Sequence, residues 1–411
     1  MIRVIHLQTH LPSSGNAAYR LHEALCQAGV HSSMLSMTSD IANSEQITYL
    51  SRKSQVTAFF NNKLQVHLLR NMLDNYGMFS FPLLGNNVSV FPQVKEADII
   101  YLHWVVGGFL NLANIKQLAS LGKPVIVFMH DMWAITGGCH HSFMCENFMT
   151  GCNDCQMFPK GGLFELSAIG FNKKRKLYNN YGNLHFIAPS TWLYNLARKS
   201  LLTKDKPIYH IPNVINVSKF RQYDKSTARA VLNLIPEETI IAFGAASPRS
   251  PYKGWEYLRE ALNILANDPD LSRRVSVVIF GSEHDAQLAE AIPFDTKFVG
   301  RLRDDYSTAL LYNAADVFVA PSLADNLPTT VMESLSCGTP VVGFAVGGIP
   351  DMISHKQNGY LAAYKDAEDL AIGIRFCLEQ QVKGSLLPCF DTATIVSQHL
   401  ALYDEILSLR T

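Results

Sequence analysis

Short runs dense in Val, Ile and Leu, apolar on both faces, alternate with amphipathic stretches along almost the whole chain, and they do so twice. "IRVIHL" precedes "AAYRLHEALCQAG", "ADIIYLHW" precedes "NLANIKQLASLG", and "PVIVFMH" and "LHFIAPS" follow. The second half repeats the scheme with "TIIAFGAAS", "VSVVIFGS", "DVFVAPS" and "PVVGFAVGG", each set beside a helical pattern. A strand that is apolar on both faces needs cover on both, which a parallel sheet flanked by helices provides. The two series break near "YHIPNVINVSKF". A chain of 411 residues also exceeds one ordinary core. The expected class is therefore α/β, with a Rossmann-like domain over 1–213, a second over 214–390, and a C-terminal helix over 391–411 that crosses back to the first. Two such domains facing across a cleft is the economical arrangement.

Composition narrows the function. Lys plus Arg and Asp plus Glu number 35 each, so the formal net charge is zero, which argues against a general nucleic-acid binder. The N-terminal "MIRVIHLQTHLPSSG" reads as a strand and a polar loop rather than a signal peptide. No apolar run reaches the about 18 residues that span a bilayer. A cytoplasmic protein is expected. Residues 51–74 depart from the alternation: Val56, Phe59, Phe60, Leu64, Leu68 and Met72 recur at helical spacing among Arg52, Lys53, Lys63 and Arg70. This is either a surface helix packed on its domain or an interfacial helix on anionic lipid, at the inner face of the membrane. Four of the eight cysteines, Cys139, Cys145, Cys152 and Cys155, crowd into "GGCHHSFMCENFMTGCNDC". In a reducing compartment they read as a candidate structural zinc site or as reduced packing thiols.

Ligands of open α/β sheets sit beyond the carboxyl ends of strands, and four loops there carry suitable groups. After "DVFVAPS", Pro328 is placed as a first helical residue. The amides around Thr329, Thr330 and Val331 would then face an anion. Glu333 lies one turn on, where it suits a pair of ligand hydroxyls or merely complements the helix dipole. In "GAASPRSPYKGWEYL", Lys253 precedes a helix and could neutralise a diphosphate leaving group, with Arg249 a weaker candidate for the same task. A surface lysine is the plain alternative. "FAVGGIPDMI" offers Gly347 and Gly348 for close backbone approach. In the first half His130 ends a buried strand beside Asp131, and Gly15 precedes the first helix. Such a histidine either satisfies backbone groups or hydrogen-bonds at a reacting centre.

Together these motifs resemble the family 4 (group 1) retaining glycosyltransferases of the GT-B fold, in a bacterial surface-polysaccharide subgroup. The most specific stretch is "LYNAADVFVAPSLADNLPTTVMESLSCGTPVVGFAVGGIPDMISHKQNGYLA". "GAASPRSPYKG" is similar to the family's diphosphate loop, and "DIIYLHWVVGGFL" and "HDMWAITGGCHHSFMCENFMTGCNDCQMFP" to the subgroup's first half. The resemblance implies roles. Glu333 would bind the nucleotide ribose, and Asp325 would address the donor sugar at its hydroxyls and anomeric centre. Lys253, with Arg249, would hold the diphosphate, and His130 would lie beside the transferred sugar. Gly15 would lie near the phosphates, and Asn326, Leu327, Pro328, Thr329 and Thr330 would line the donor site. Asp325 replaces the usual Glu, and Ala245 stands where many members carry an arginine. The implied partners are a nucleotide diphosphate sugar and a saccharide or polyprenyl-linked acceptor. No cofactor is required, since the only Asp-x-Asp, at Asp268 and Asp270, reads as a connecting loop. A nucleotide-sugar epimerase and a non-catalytic nucleotide-sugar-binding subunit are the competing readings. The first strand lacks the Gly-x-Gly-x-x-Gly of an NAD enzyme.

Overall fold

The computed structural model describes residues 1–11, 16–40, 46–73, 77–158, 165–244 and 250–408. Gly15, Ala245 and Arg249, named above, lie outside them. The chain forms two compact units, Met1–Val214 with Ala393–Thr411, and Ile215–Thr392.

The first unit holds strands β1 (Arg3–Leu11), β2 (His31–Ser39), β3 (Ile47–Tyr49), β4 (Ile99–Leu102), β5 (Val125–Phe128), β6 (Leu184–Ala188) and β7 (Ile208–His210). Its helices are α1 (Ala17–Gln27), α2 (Arg52–Leu68), α3 (Pro92–Glu96), α4 (Leu112–Ala119), α5 (Leu166–Asn180) and α6 (Thr191–Lys199). The second unit holds β8 (Thr239–Gly244), β9 (Val275–Phe280), β10 (Asp295–Gly300), β11 (Val317–Ala320), β12 (Val341–Phe344) and β13 (Gly359–Ala362). Around them lie α7 (Lys225–Val231), α8 (Trp255–Ala266), α9 (Pro269–Ser272), α10 (Ala286–Glu290), α11 (Asp305–Ala314), α12 (Thr329–Ser336), α13 (Ile349–Met352) and α14 (Ala367–Glu379). Helix α15 (Thr392–Ser408) starts at the end of the second unit, and the residues from Ala393 onward belong to the first.

Both sheets are parallel, in the orders β3-β2-β1-β4-β5-β6-β7 and β10-β9-β8-β11-β12-β13. The pleat explains the doubly apolar strands. Ile5 and Leu7 of β1 enter the core on one face, with Val125 and Val127 of β5. Val4, Ile126 and Phe128 enter the other, against Ile395, Leu402, Tyr403 and Ile406 of α15. In β8 the same alternation sends Ile240 and Ala242 one way and Ile241 and Phe243 the other. Each sheet thus has two cores, and each core needs its own layer of helices.

Short polar side chains set the helix starts. Asn16 accepts from the amides of Ala18 and Tyr19, Asn111 and Asn114 form a reciprocal capping box, and Ser190 accepts from Leu193 N. Two readings shift. Asp268 caps the four-residue helix α9, so the Asp-x-Asp lies on a helix start rather than in a plain loop. The helix expected over 51–74 ends at Leu68.

Candidate functional site

In each sheet the strand order reverses once, between β1 and β4 and between β8 and β11. Loops diverge at such a point and leave room for a ligand. In the second unit the loop after β8 carries Lys253 and the loop after β11 carries Asp325. The Lys253 Nζ lies 3.2 Å from Asp325 Oδ2, with both side chains mostly buried. The Asp325 charge raises the Lys253 pKa and outweighs the burial that would lower it. Lys253 is therefore held as a cation in a largely dehydrated place.

Two glycines make this approach possible. Gly254 has φ +65°, and a Cβ there would lie 1.9 Å from the Pro321 carbonyl oxygen. Gly347 has φ +59°, and its Cβ would lie 1.7 Å from the Asp325 carbonyl oxygen. Leu323 N also donates to Tyr252 O at 2.7 Å. The loops after β8, β11 and β12 thus close on one another around Asp325.

Helix α12 starts in the same place. Pro328 is its N-cap, with ψ 118°, rather than its first helical residue. Proline fixes φ only, and the extended ψ holds Pro328 outside the helix. Pro328 offers no side-chain cap, so the helix opens on the amides of Thr329 and Thr330. Both threonines are half-buried. Asn326 is buried, and Leu327 packs into the core of the unit rather than offering its side chain to a ligand. Glu333, a turn further on, is 3% exposed. Its Oε2 accepts from the Tyr312 hydroxyl of α11 at 3.2 Å. Tyr312 escaped the sequence reading because nothing in "ALLYNAAD" distinguishes it from a core aromatic.

In the first unit His130 follows β5 and His103 follows β4. The Nε2 of His130 lies 2.9 Å from His103 Nδ1, and the Nε2 of His103 lies 2.9 Å from His6 Nδ1 on β1. Burial lowers the His130 pKa to about 4, against a smaller raising effect from Asp131. Asp131 itself meets His140 Nδ1 at 2.6 Å, and His140 Nε2 meets Ser80 Oγ at 2.8 Å. Burial alone would raise the Asp131 carboxyl, but the His140 charge and hydrogen bond hold it below its ordinary value. A cavity of about 30 Å³, room for one water, is lined by His103, His130, Asp131 and His140.

The four clustered cysteines are free thiols. Burial pushes Cys139 up to about 12 and Cys152 up to about 11, and Gly137 N donates to Cys152 Sγ at 3.2 Å. Among the described residues no three His, Cys, Asp or Glu side chains are grouped so that they could hold a metal ion. As arranged here, these thiols pack rather than ligate.

Residues 237–380 match the family model described as Glycosyl transferases group 1. The second unit belongs to that family. The D-inositol 3-phosphate glycosyltransferase of Saccharomonospora viridis is 29% identical to the chain over 184 residues, 42% of this chain and 42% of that protein. An uncharacterized glycosyltransferase of Methanocaldococcus jannaschii is 25% identical over 305 residues, 70% of this chain and 75% of that protein. The chain thus spans about two-fifths of the length of its inositol phosphate relative. Among solved structures, the sucrose-phosphate synthase of Thermosynechococcus elongatus superposes with a TM-score of 0.62 at 18% identity, covering 99% of this chain and 100% of that one. Anabaena HepE, in complex with UDP-glucose, superposes with a TM-score of 0.57 at 17% identity, covering 100% and 99%. The group 1 unit and the unit before it are the two Rossmann-like domains of the GT-B fold. The Lys253–Asp325 pair, Glu333 and α12 all fall inside the matched segment.

Proposed function

We propose that this protein moves a sugar from a nucleotide diphosphate sugar to a saccharide or lipid-linked saccharide, with retention of anomeric configuration, in the building of a bacterial surface polysaccharide. The observation that carries this reading is the buried Lys253–Asp325 pair at the reversal of the second sheet, beside the uncapped start of α12. A diphosphate offered to that place meets a fixed cation and helix amides, which favour charge as it builds on the leaving group. Glu333 takes the ribose hydroxyls, and Asp325 addresses the sugar once the diphosphate competes with it for Lys253. His130 of the first unit hydrogen-bonds the transferred sugar. No metal is assigned to the step, because lysine and helix amides already supply the positive field. The UDP-glucose bound by Anabaena HepE makes a UDP-sugar the first donor to try.

The protein works at the cytoplasmic face of the membrane in this reading. No helix among the described residues is long and apolar enough to cross a bilayer, whereas α2 has an outward apolar face suited to lie on one.

The test is a thermal-shift screen over nucleotide sugars, followed by kinetics with the donor that stabilises. Lys253→Ala should lower kcat by on the order of a hundredfold, because its contact strengthens in the transition state. Glu333→Gln should weaken donor binding more than turnover. Chelator should leave the rate unchanged, and metal analysis of the same sample reads any zinc on the cysteines. Inverted product by NMR, or full turnover in Lys253→Ala, would overturn the mechanism.

A further inference from the structure

Three imidazoles stand in file where the first sheet reverses. His6 on β1, His103 after β4 and His130 after β5 are joined Nδ1 to Nε2 twice, at 2.9 Å each. Successive rings stack with centroids 5.2 Å apart. The strand register places them diagonally, since His6 pairs with Tyr101 and Leu102 with Val127.

A file of neutral imidazoles has only two proton arrangements, because each ring carries one N–H. In one, every Nδ1 donates: His6 to His103, and His103 to His130. In the other, every Nε2 donates, in the opposite direction. The inner end decides between them. His6 Nε2 is buried and has no hydrogen-bond partner. The second arrangement would strand an N–H donor there, whereas the first leaves only a bare lone pair. Orphaned buried donors are the rarer and costlier kind. His399 on α15 follows the same rule. Its Nε2 is also without a partner, and its Nδ1 meets the Tyr101 hydroxyl at 2.8 Å, which donates onward to Tyr403 at 3.0 Å.

We propose that His103 and His6 are positioning residues that fix His130 as its Nδ1–H tautomer, so that His130 offers a ligand a hydrogen-bond donor and not a base. This rests on the role given to His130 above and refines it. The groups packed round the file favour neutral rings. His22 from α1, His399 and Tyr403 from α15, and Tyr101 from β4 add no negative charge. Only Asp131 pulls His130 toward protonation, and it is already bonded to His140. Donation from Nδ1 suits a sugar hydroxyl oxygen, and a transfer with retention asks for no general base on the acceptor side of the donor carbon.

The experiment is two-bond proton–nitrogen NMR of the full-length protein labelled with ¹⁵N-histidine, with His130 assigned through the signals lost in His130→Gln. His130 should show a protonated Nδ1 and a bare Nε2. His103→Leu should release it into a mixture of tautomers. His103→Asn, whose amide nitrogen stands near the place of Nδ1, should keep it fixed. With the donor found by the thermal-shift screen, His103→Leu should lower kcat by on the order of tenfold with little change in KM, and His103→Asn should restore most of it. A wild-type His130 protonated at Nε2, or a Leu variant with an unchanged tautomer, overturns the proposal. Should His103→Leu fail to fold, the wild-type spectrum alone decides. Full activity in His130→Gln would instead sink the catalytic role of His130 while the spectrum still judges the relay.

Discussion

Lys253 and Asp325 are 72 positions apart in the chain and 3.2 Å apart in the fold. Each was legible as a residue type in a plausible loop, but their ion pair was not, because sequence spacing carries no information about which loops converge. What brings them together is backbone contact that only glycine permits. Gly347 illustrates the cost of losing it. An alanine there must adopt φ +59° and place its Cβ 1.7 Å from the Asp325 carbonyl oxygen. The conformational term alone is about 1–2 kcal/mol, and relieving the clash must move either the 345–348 turn or Asp325. Gly347→Ala should therefore destabilise the second unit by more than about 2 kcal/mol in urea titration, and weaken donor binding as well. An unchanged midpoint with unchanged donor affinity would show that the turn has slack the geometry does not suggest. Gly348 looked equivalent in sequence, but no such contact constrains it.

Helix α2 is turned against the usual order. Asn61 is 0% exposed, and its Oδ1 accepts from the amides of Leu83 and Leu84, while Gln65 accepts from Phe81 N. Val56, Phe59, Phe60, Leu64 and Val66 face solvent instead, Phe59 and Phe60 each by more than half. The polar side is buried because the 81–84 segment has no strand partner and takes its hydrogen bonds from the helix. Sequence periodicity marks an apolar stripe but cannot tell which way it faces. Here it faces outward, beside Lys63, whose Nζ sits over the Phe59 ring at 4.6 Å. The element should bind vesicles containing anionic phosphatidylglycerol more tightly than neutral phosphatidylcholine vesicles, and less tightly as salt rises. The double variant Phe59→Ser, Phe60→Ser should abolish sedimentation with either, and Lys63→Glu only the anionic preference. Equal binding by the double variant and the parent would return α2 to the role of a surface helix.

Across the whole molecule, titratable burial is lopsided. The first unit holds His22 and His130 with pKa values lowered by burial to about 4, and His399 to about 3. His6 and His103 are held well below their ordinary value of 6.5, by burial first and then by neighbouring histidines. Such a ring stays neutral in the fold while the unfolded chain takes up a proton below 6.5, so stability is lost as pH falls from 6.5 toward 4. A histidine moved to about 4 removes roughly 3 kcal/mol once charged. The first unit should melt on the order of 10 °C lower at pH 5 than at pH 7, with the second unit less affected, as calorimetry would resolve. A pH-independent first transition would contradict the burial of these rings. The origin of that burial marks the division between chain and fold. Apolar runs on a two-sided pattern were sufficient to specify parallel sheets with helices on both faces, because the pleat alternates side chains whatever the partner strands are. Helix starts at Asn16, Asn111 and Ser190 were local as well, since a cap bonds within three residues. Strand order, the reversal points at β1/β4 and β8/β11, the outward face of α2 and the file of three histidines were decided only by the tertiary structure. Each depends on which distant segments pack side by side, and that is settled by the burial of whole surfaces rather than by any local spacing.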